Sequence, residues 1–167
     1  MTKKKVRLLI LCIAILLIAG IAVSYFLPTN IPLSSLQSKD VFQFRNFRCG
    51  TAKGCVKLLW SGILEPYSLP PQDVLLSEAS AKVNGNPADV YFYFQDGELH
   101  QVAITVKDCN DAWTQALVEE ARQLYGAEDT NAENKVYKWY CDDTIFCIAI
   151  TGRKQVMLII TNTSEPV

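Results

Sequence analysis

Hydrophobic and polar positions divide the chain into an apolar run, a polar connection and a longer stretch of alternating pattern. The run spans residues 8–27, follows Lys3, Lys4, Lys5 and Arg7, carries no charge and is closed by Pro28. Its 20 residues, at about 1.5 Å of helical rise each, reach about 30 Å, the thickness of a bilayer's hydrocarbon core. The cationic cluster precedes the run and no comparable cluster follows closely. This predicts a cytoplasmic N-terminus with everything after Pro28 exported. A cleaved signal peptide is the alternative, with Ala22 and Ser24 forming a small-x-small site. Signal cores need only about 7 to 15 apolar residues, however, so a retained signal anchor over 1–27 is the expectation.

Residues 28–41, with Pro28, Asn30, Pro32, Ser34, Ser35 and Ser38, read as a polar stalk, and the folded domain is expected over 42–167. Residues 56–64 fit either a strand or a helix, and Pro66, Pro70 and Pro71 exclude a continuous helix beyond them. The sharpest local signal lies in residues 88–106, where two β-rich stretches flank Asp96 and Gly97. A three-residue loop of Gln95, Asp96 and Gly97, with a bulge at the glycine, aligns Val90, Phe92 and Phe94 with Val102, Ile104 and Val106 as a core face. Tyr91, Tyr93, Leu99, Gln101 and Thr105 then fall on the opposite face.

Asn110 or Asp111 opens a predicted helix that Gly126 ends, with Trp113, Ala116, Leu117, Ala121 and Leu124 as its apolar stripe. Three further strands are expected over 136–141, 144–151 and 155–161, the first two joined at Asp142 and Asp143 with Trp139, Phe146, Ile148 and Ile150 on one face. In that register Cys141 faces Thr144, and Cys147 faces Lys138 on the other side of the sheet. Strands, one long helix, then strands again describe an α+β domain: one antiparallel sheet with a single helix packed across one face.

Charge changes this picture in one respect. Four of the 16 basic side chains fall in the first seven residues, which leaves 12 against 17 acidic ones and a net charge of −5 for the exported part. That balance argues against nucleic acid or anionic lipid as the main partner. Outside the run lie Cys49, Cys55, Cys109, Cys141 and Cys147. In an exported protein they read as disulfide formers, with Cys49 and Cys55 the favoured pair across a stretch containing two glycines, and Cys109, Cys141 and Cys147 as further possibilities.

Candidate chemistry is sparse. His100 is the only histidine and stands inside a strand, Asp142 and Asp143 read as turn formers, and no CxxC pair, glycine-rich phosphate loop, GxSxG or HExxH is present. No catalytic residue, metal or cofactor is expected. Tyr91, Tyr93, Tyr137 and Tyr140 are the better lead, because tyrosine combines apolar area with a hydroxyl and is favoured at interfaces. The expected protein is a binding module held by its N-terminal helix in a bacterial inner membrane, with its domain in the periplasm and another extracytoplasmic protein as partner. In its most concrete form it is an immunity or inhibitor protein against an envelope-acting toxin or enzyme. The alternative is a structural accessory subunit of an envelope secretion or assembly complex.

Overall fold

The computed structural model describes residues 13, 28–38, 40–131, 135–152 and 154–163. Apart from Ile13, the predicted anchor lies outside the described residues, and among the described residues no helix is long and apolar enough to cross a membrane. The fold is α+β and centres on a nine-stranded sheet in the order β1-β5-β6-β7-β11-β10-β9-β8, with β4 also paired to β5. The strands are β1 (Thr29–Asn30), β4 (Glu65–Leu69), β5 (Gln72–Val83), β6 (Asn86–Gln95), β7 (Glu98–Val106), β8 (Asp129–Asn131), β9 (Val136–Cys141), β10 (Thr144–Thr151) and β11 (Gln155–Asn162). All neighbours are antiparallel except β1, which runs parallel to the end of β5 through Thr29 opposite Ala81. A separate short ribbon joins β2 (Gln37–Ser38) to β3 (Val41–Phe42).

The β6–β7 hairpin keeps the predicted core face by a different device. Its turn has two residues, since Gln95 pairs with Glu98, and both Asp96 and Gly97 adopt positive φ. Such a turn matches the right-handed twist of the flanking strands. The register then shifts between Tyr93 and Phe94: Tyr93 faces Gln101 but Phe94 faces Leu99, leaving His100 as an extra residue. The bulge therefore sits at His100 rather than at Gly97. Downstream of it Val90 faces Ile104 and Phe92 faces Val102, as alternation demands. Upstream, Leu99 turns to the core and is buried, contrary to its expected place on the opposite face.

Helix α2 (Asp111–Tyr125) starts where Asn110 Oδ1 accepts the Trp113 N–H at 2.7 Å and ends at Gly126 with φ of 87°. Its inward stripe is Thr114, Leu117, Val118 and Ala121, with Tyr125 packed against the core, while Ala116 and Leu124 face outward. The stripe is thus turned from the predicted one, because Val118 rather than Ala116 completes the spacing with Leu117 and Ala121. The Tyr125 hydroxyl donates to the Leu33 carbonyl and ties this helix to the N-terminal segment.

Residues 28–38 and 40–41 belong to the folded domain rather than to a stalk. Ile31, Leu33 and Leu36 are buried, and Phe42 packs on Phe146 and Tyr125. The reading failed because Ser34 and Ser35 take exposed positions while Ile31, Leu33 and Leu36 point inward. Downstream, helix α1 (Lys53–Leu59) buries Val56, and Trp60 follows it into a cluster with Phe44, Phe47 and Phe92. The Trp60 indole donates to Ser77 Oγ at 2.9 Å, and that hydroxyl donates to the Ile63 carbonyl at 2.7 Å. The N-terminal layer and α2 together cover one face of the sheet.

Helix α1 also bears on the cysteines. Gly54 lies inside it rather than in a flexible loop, Cys55 is exposed on its surface, and the Cys49 thiol instead donates to the His100 carbonyl at 3.3 Å. Cys49, Cys55, Cys109, Cys141 and Cys147 are all free thiols in this structure. Cys141 faces Thr144 and Cys147 faces Lys138, on opposite faces of the sheet as their spacing predicts.

Candidate functional site

Cross-strand register assembles the sheet face that points away from both helices. One row runs Tyr67, Val74, Tyr93, Gln101, Thr161, Ile145, Tyr140, and the next runs Glu65, Leu76, Tyr91, Ala103, Ile159, Cys147, Lys138. Directly opposed residues share a face, so both rows lie on one surface. The buried residues of this surface, Val74, Leu76, Ala103, Ile145, Cys147 and Thr161, stand outside the main core cluster. Tyr91, Tyr93 and Ile159 are half-buried, and Tyr67 and Tyr140 are 42% and 56% exposed. The surface is therefore largely apolar in composition, closed along its middle and accessible at Tyr67 and Tyr140.

Three tyrosines concentrate at its β4–β6 end. Tyr67 meets Tyr91 edge-on with ring centroids 5.5 Å apart, and Tyr91 lies 6.5 Å from Tyr93. Edge-to-face contact places the positive ring edge of one on the negative face of the other, which favours this ring orientation. Burial pushes the Tyr91 hydroxyl above its ordinary titration range, helped by the Asp89 carboxylate, and burial beside Tyr67 does the same to Tyr93. Both stay protonated at neutral pH and can each donate and accept a hydrogen bond. Asp89, buried nearby, accepts the Ala79 N–H at 2.9 Å and pairs with exposed Lys107 at 2.6 Å. That contact holds the irregular stretch of β5 between Ser77 and Ala81.

The four tyrosines singled out in the sequence separate in space. Tyr91 and Tyr93 stand together, and Tyr140 shares their face in the row of Tyr93 but four strands away, about 19 Å at normal strand spacing. Tyr137 faces Ile148 on the helix-covered side, with the Arg122 guanidinium 5.9 Å from its ring centroid. The sequence reading missed Tyr67. Its alternation signal is only five residues long and contains Pro66, a residue tolerated at a sheet edge because no N–H is required there.

A second concavity, ≈ 330 Å³, is lined by Cys49, Gly50, Gln95, Asp96, Glu98, Leu99, His100 and Asn162. His100 Nδ1 is buried there without a hydrogen-bond partner. The Cys49 thiol is held at about 11 by burial, with the Asp143 carboxylate adding to the effect, and its acceptor is a backbone carbonyl rather than an imidazole. Only the thiolate is an effective nucleophile, so at neutral pH this cysteine is not activated. Among the described residues no group of three His, Cys, Asp or Glu side chains could hold a metal ion. Comparison with known protein families, curated proteins and solved structures gives no match for this chain.

Proposed function

We propose that the chain is a membrane-anchored, extracytoplasmic protein-binding module, most concretely an inhibitor or immunity protein that occupies an envelope-acting toxin or enzyme. The observation that carries this reading is the cluster of Tyr67, Tyr91 and Tyr93 at one end of the sheet face turned away from the helices. Aromatic side chains of this kind supply large contact area with few rotatable bonds, and their hydroxyls satisfy polar groups on a partner. Half-buried Ile159 on the same face adds apolar area beside them. The net charge of the exported part favours a basic partner.

A second reading, an accessory subunit of an envelope secretion or assembly complex, is favoured by the position of β1. That strand begins two residues after the apolar run, so the domain would be tied closely to the bilayer. Mild crosslinking of the anchored chain followed by co-purification tests the binding function, and recovery of no specific extracytoplasmic protein would sink it. Replacing residues 1–27 with a cleavable signal separates the two readings. An inhibitor keeps its partner when released, and a machine subunit loses its function.

A further inference from the structure

Leu58, Leu59 and Ile63 are 81%, 63% and 66% exposed, the most solvent-accessible large apolar side chains among the described residues. Helix α1 turns Val56 inward and is followed by buried Trp60, so its short length presents Cys55, Leu58 and Leu59 outward together, at the three- and four-residue spacing that shares a helix face. The core does not account for two outward leucines on one short helix. Charge around them is as uneven as the hydropathy. Between Asp40 and Glu65 the chain carries Arg45, Arg48, Lys53 and Lys57 and no acidic residue, in a protein whose exported part is acidic overall, and of these Lys53 is paired with Asp73 at 2.6 Å. Lys57 sits beside Leu58 on α1, and Arg45 lies over the Trp60 ring at 5.3 Å with Nη1 3.5 Å from Ser61 Oγ.

The patch lies where the apolar run joins the fold. Ile63 accepts the Ser77 hydroxyl, and a Cβ on Gly62 would stand 3.1 Å from the Ser80 Cβ. The next residue, Ala81, pairs with Thr29, two positions after the run ends at Leu27. A chain anchored through residues 8–27 would therefore hold Leu58, Leu59 and Ile63 at the level of the lipid headgroups.

We propose that this surface, Leu58, Leu59 and Ile63 bordered by Arg45 and Lys57, rests in the interface of an anionic phospholipid bilayer beside the anchor. The apolar side chains enter the headgroup and acyl boundary while the cations meet lipid phosphates, the combination that holds interfacial amphipathic segments. Docking there would fix the orientation of the domain and present the tyrosine face to a partner in one direction. The inference rests on the anchored reading but not on the identity of the protein partner.

Cys55 supplies the probe position, since it shares the outward face of Leu58 and Leu59. The full chain with Cys12→Ala, Cys49→Ser and Cys141→Ser is labelled at Cys55 with an environment-sensitive dye and reconstituted in phosphatidylcholine vesicles with or without phosphatidylglycerol. Acyl-brominated lipid is expected to quench the label about twofold or more in the anionic vesicles and less in the neutral ones. The exposed double substitution Leu58→Ser with Leu59→Ser should abolish that quenching without changing the melting temperature. A label untouched by brominated lipid and open to iodide in anionic vesicles is the result expected if the patch meets another protein, and it overturns the proposal. Equal quenching in both lipids overturns the anionic preference. Flotation of the chain with the vesicles is read in parallel, and failure to float removes the anchor as well as the docking surface.

Discussion

Tyr67 on β4 stands edge-on to Tyr91 on β6, their ring centroids 5.5 Å apart and their planes at 84°. Tyr67 belongs to edge strand β4 and is 42% exposed, so it contributes little to the core. Tyr67→Ala is expected to change folding stability by no more than about 1 kcal/mol, the size of one aromatic pair on a sheet surface. Recovery of the partner after crosslinking should fall several-fold. Unchanged recovery would remove this end of the sheet from the interface.

Phe92 joins the two layers on the other side of the same strand. It is fully buried and packs within 5.2 Å of Trp60 and 5.9 Å of Phe44 and Phe47, centroid to centroid. Phe92→Ala is expected to cost about 3 to 5 kcal/mol, the range for a buried phenylalanine whose surroundings relax only partly. Urea denaturation followed by tryptophan fluorescence measures this directly, and a loss below about 1 kcal/mol would mean that the N-terminal layer is not packed as described.

Gly62 is required by space. A Cβ there would meet Trp60 Nε1 at 2.6 Å and Ser77 Oγ at 2.7 Å, the two atoms of the bond that fixes this loop on β5. Gly62→Ala should break that bond or displace the loop, at a cost of about 1 to 3 kcal/mol for overpacking. Because Ile63 follows, amide exchange in residues 61–64 is expected to accelerate, whereas β10 and β11 keep their protection.

The later part of the chain was far more legible in the sequence than the earlier part. Helix α2 and strands β9 and β10 form over the predicted residues because local signals agree: Asn110 caps, Gly126 terminates, and Asp142 and Asp143 turn between alternating stretches. Leu99 was misplaced because a bulge at His100 leaves no mark in composition, and alternation counted back from Val102 toward the turn is off by one once the bulge is passed. Strand β5 escaped notice, since its partners β1 and β4 are short and proline-flanked, and β1 is distant in sequence. The tyrosine face was half visible. Alternation put Tyr91 and Tyr93 outside the core, but Tyr67 joins them and Tyr137 leaves them through register that only the assembled sheet defines.

Cys147 gives a pH dependence. It is fully buried on the sheet face that carries the tyrosines, and burial raises its thiol from about 9 to about 11, Lys138 opposing the shift. The neutral thiol is the form the fold favours. The unfolded chain loses that proton near its ordinary value while the native chain retains it, so this contribution is intact below pH 9 and is lost as pH rises toward 11. Wild-type stability should exceed its pH dependence in Cys147→Ala by on the order of 2 kcal/mol of decline across that interval. Equal slopes in the two proteins would show that the thiol is not desolvated.

Photocrosslinking from the tyrosine face probes partner binding most directly. With p-benzoylphenylalanine in place of Tyr93 in the anchored full chain, irradiation is expected to give one discrete adduct with an extracytoplasmic protein, repeated from position 91 and absent from exposed Gln115 on α2. No adduct from positions 91 and 93, or the same adducts from 115, would contradict a protein-binding role for the tyrosine face.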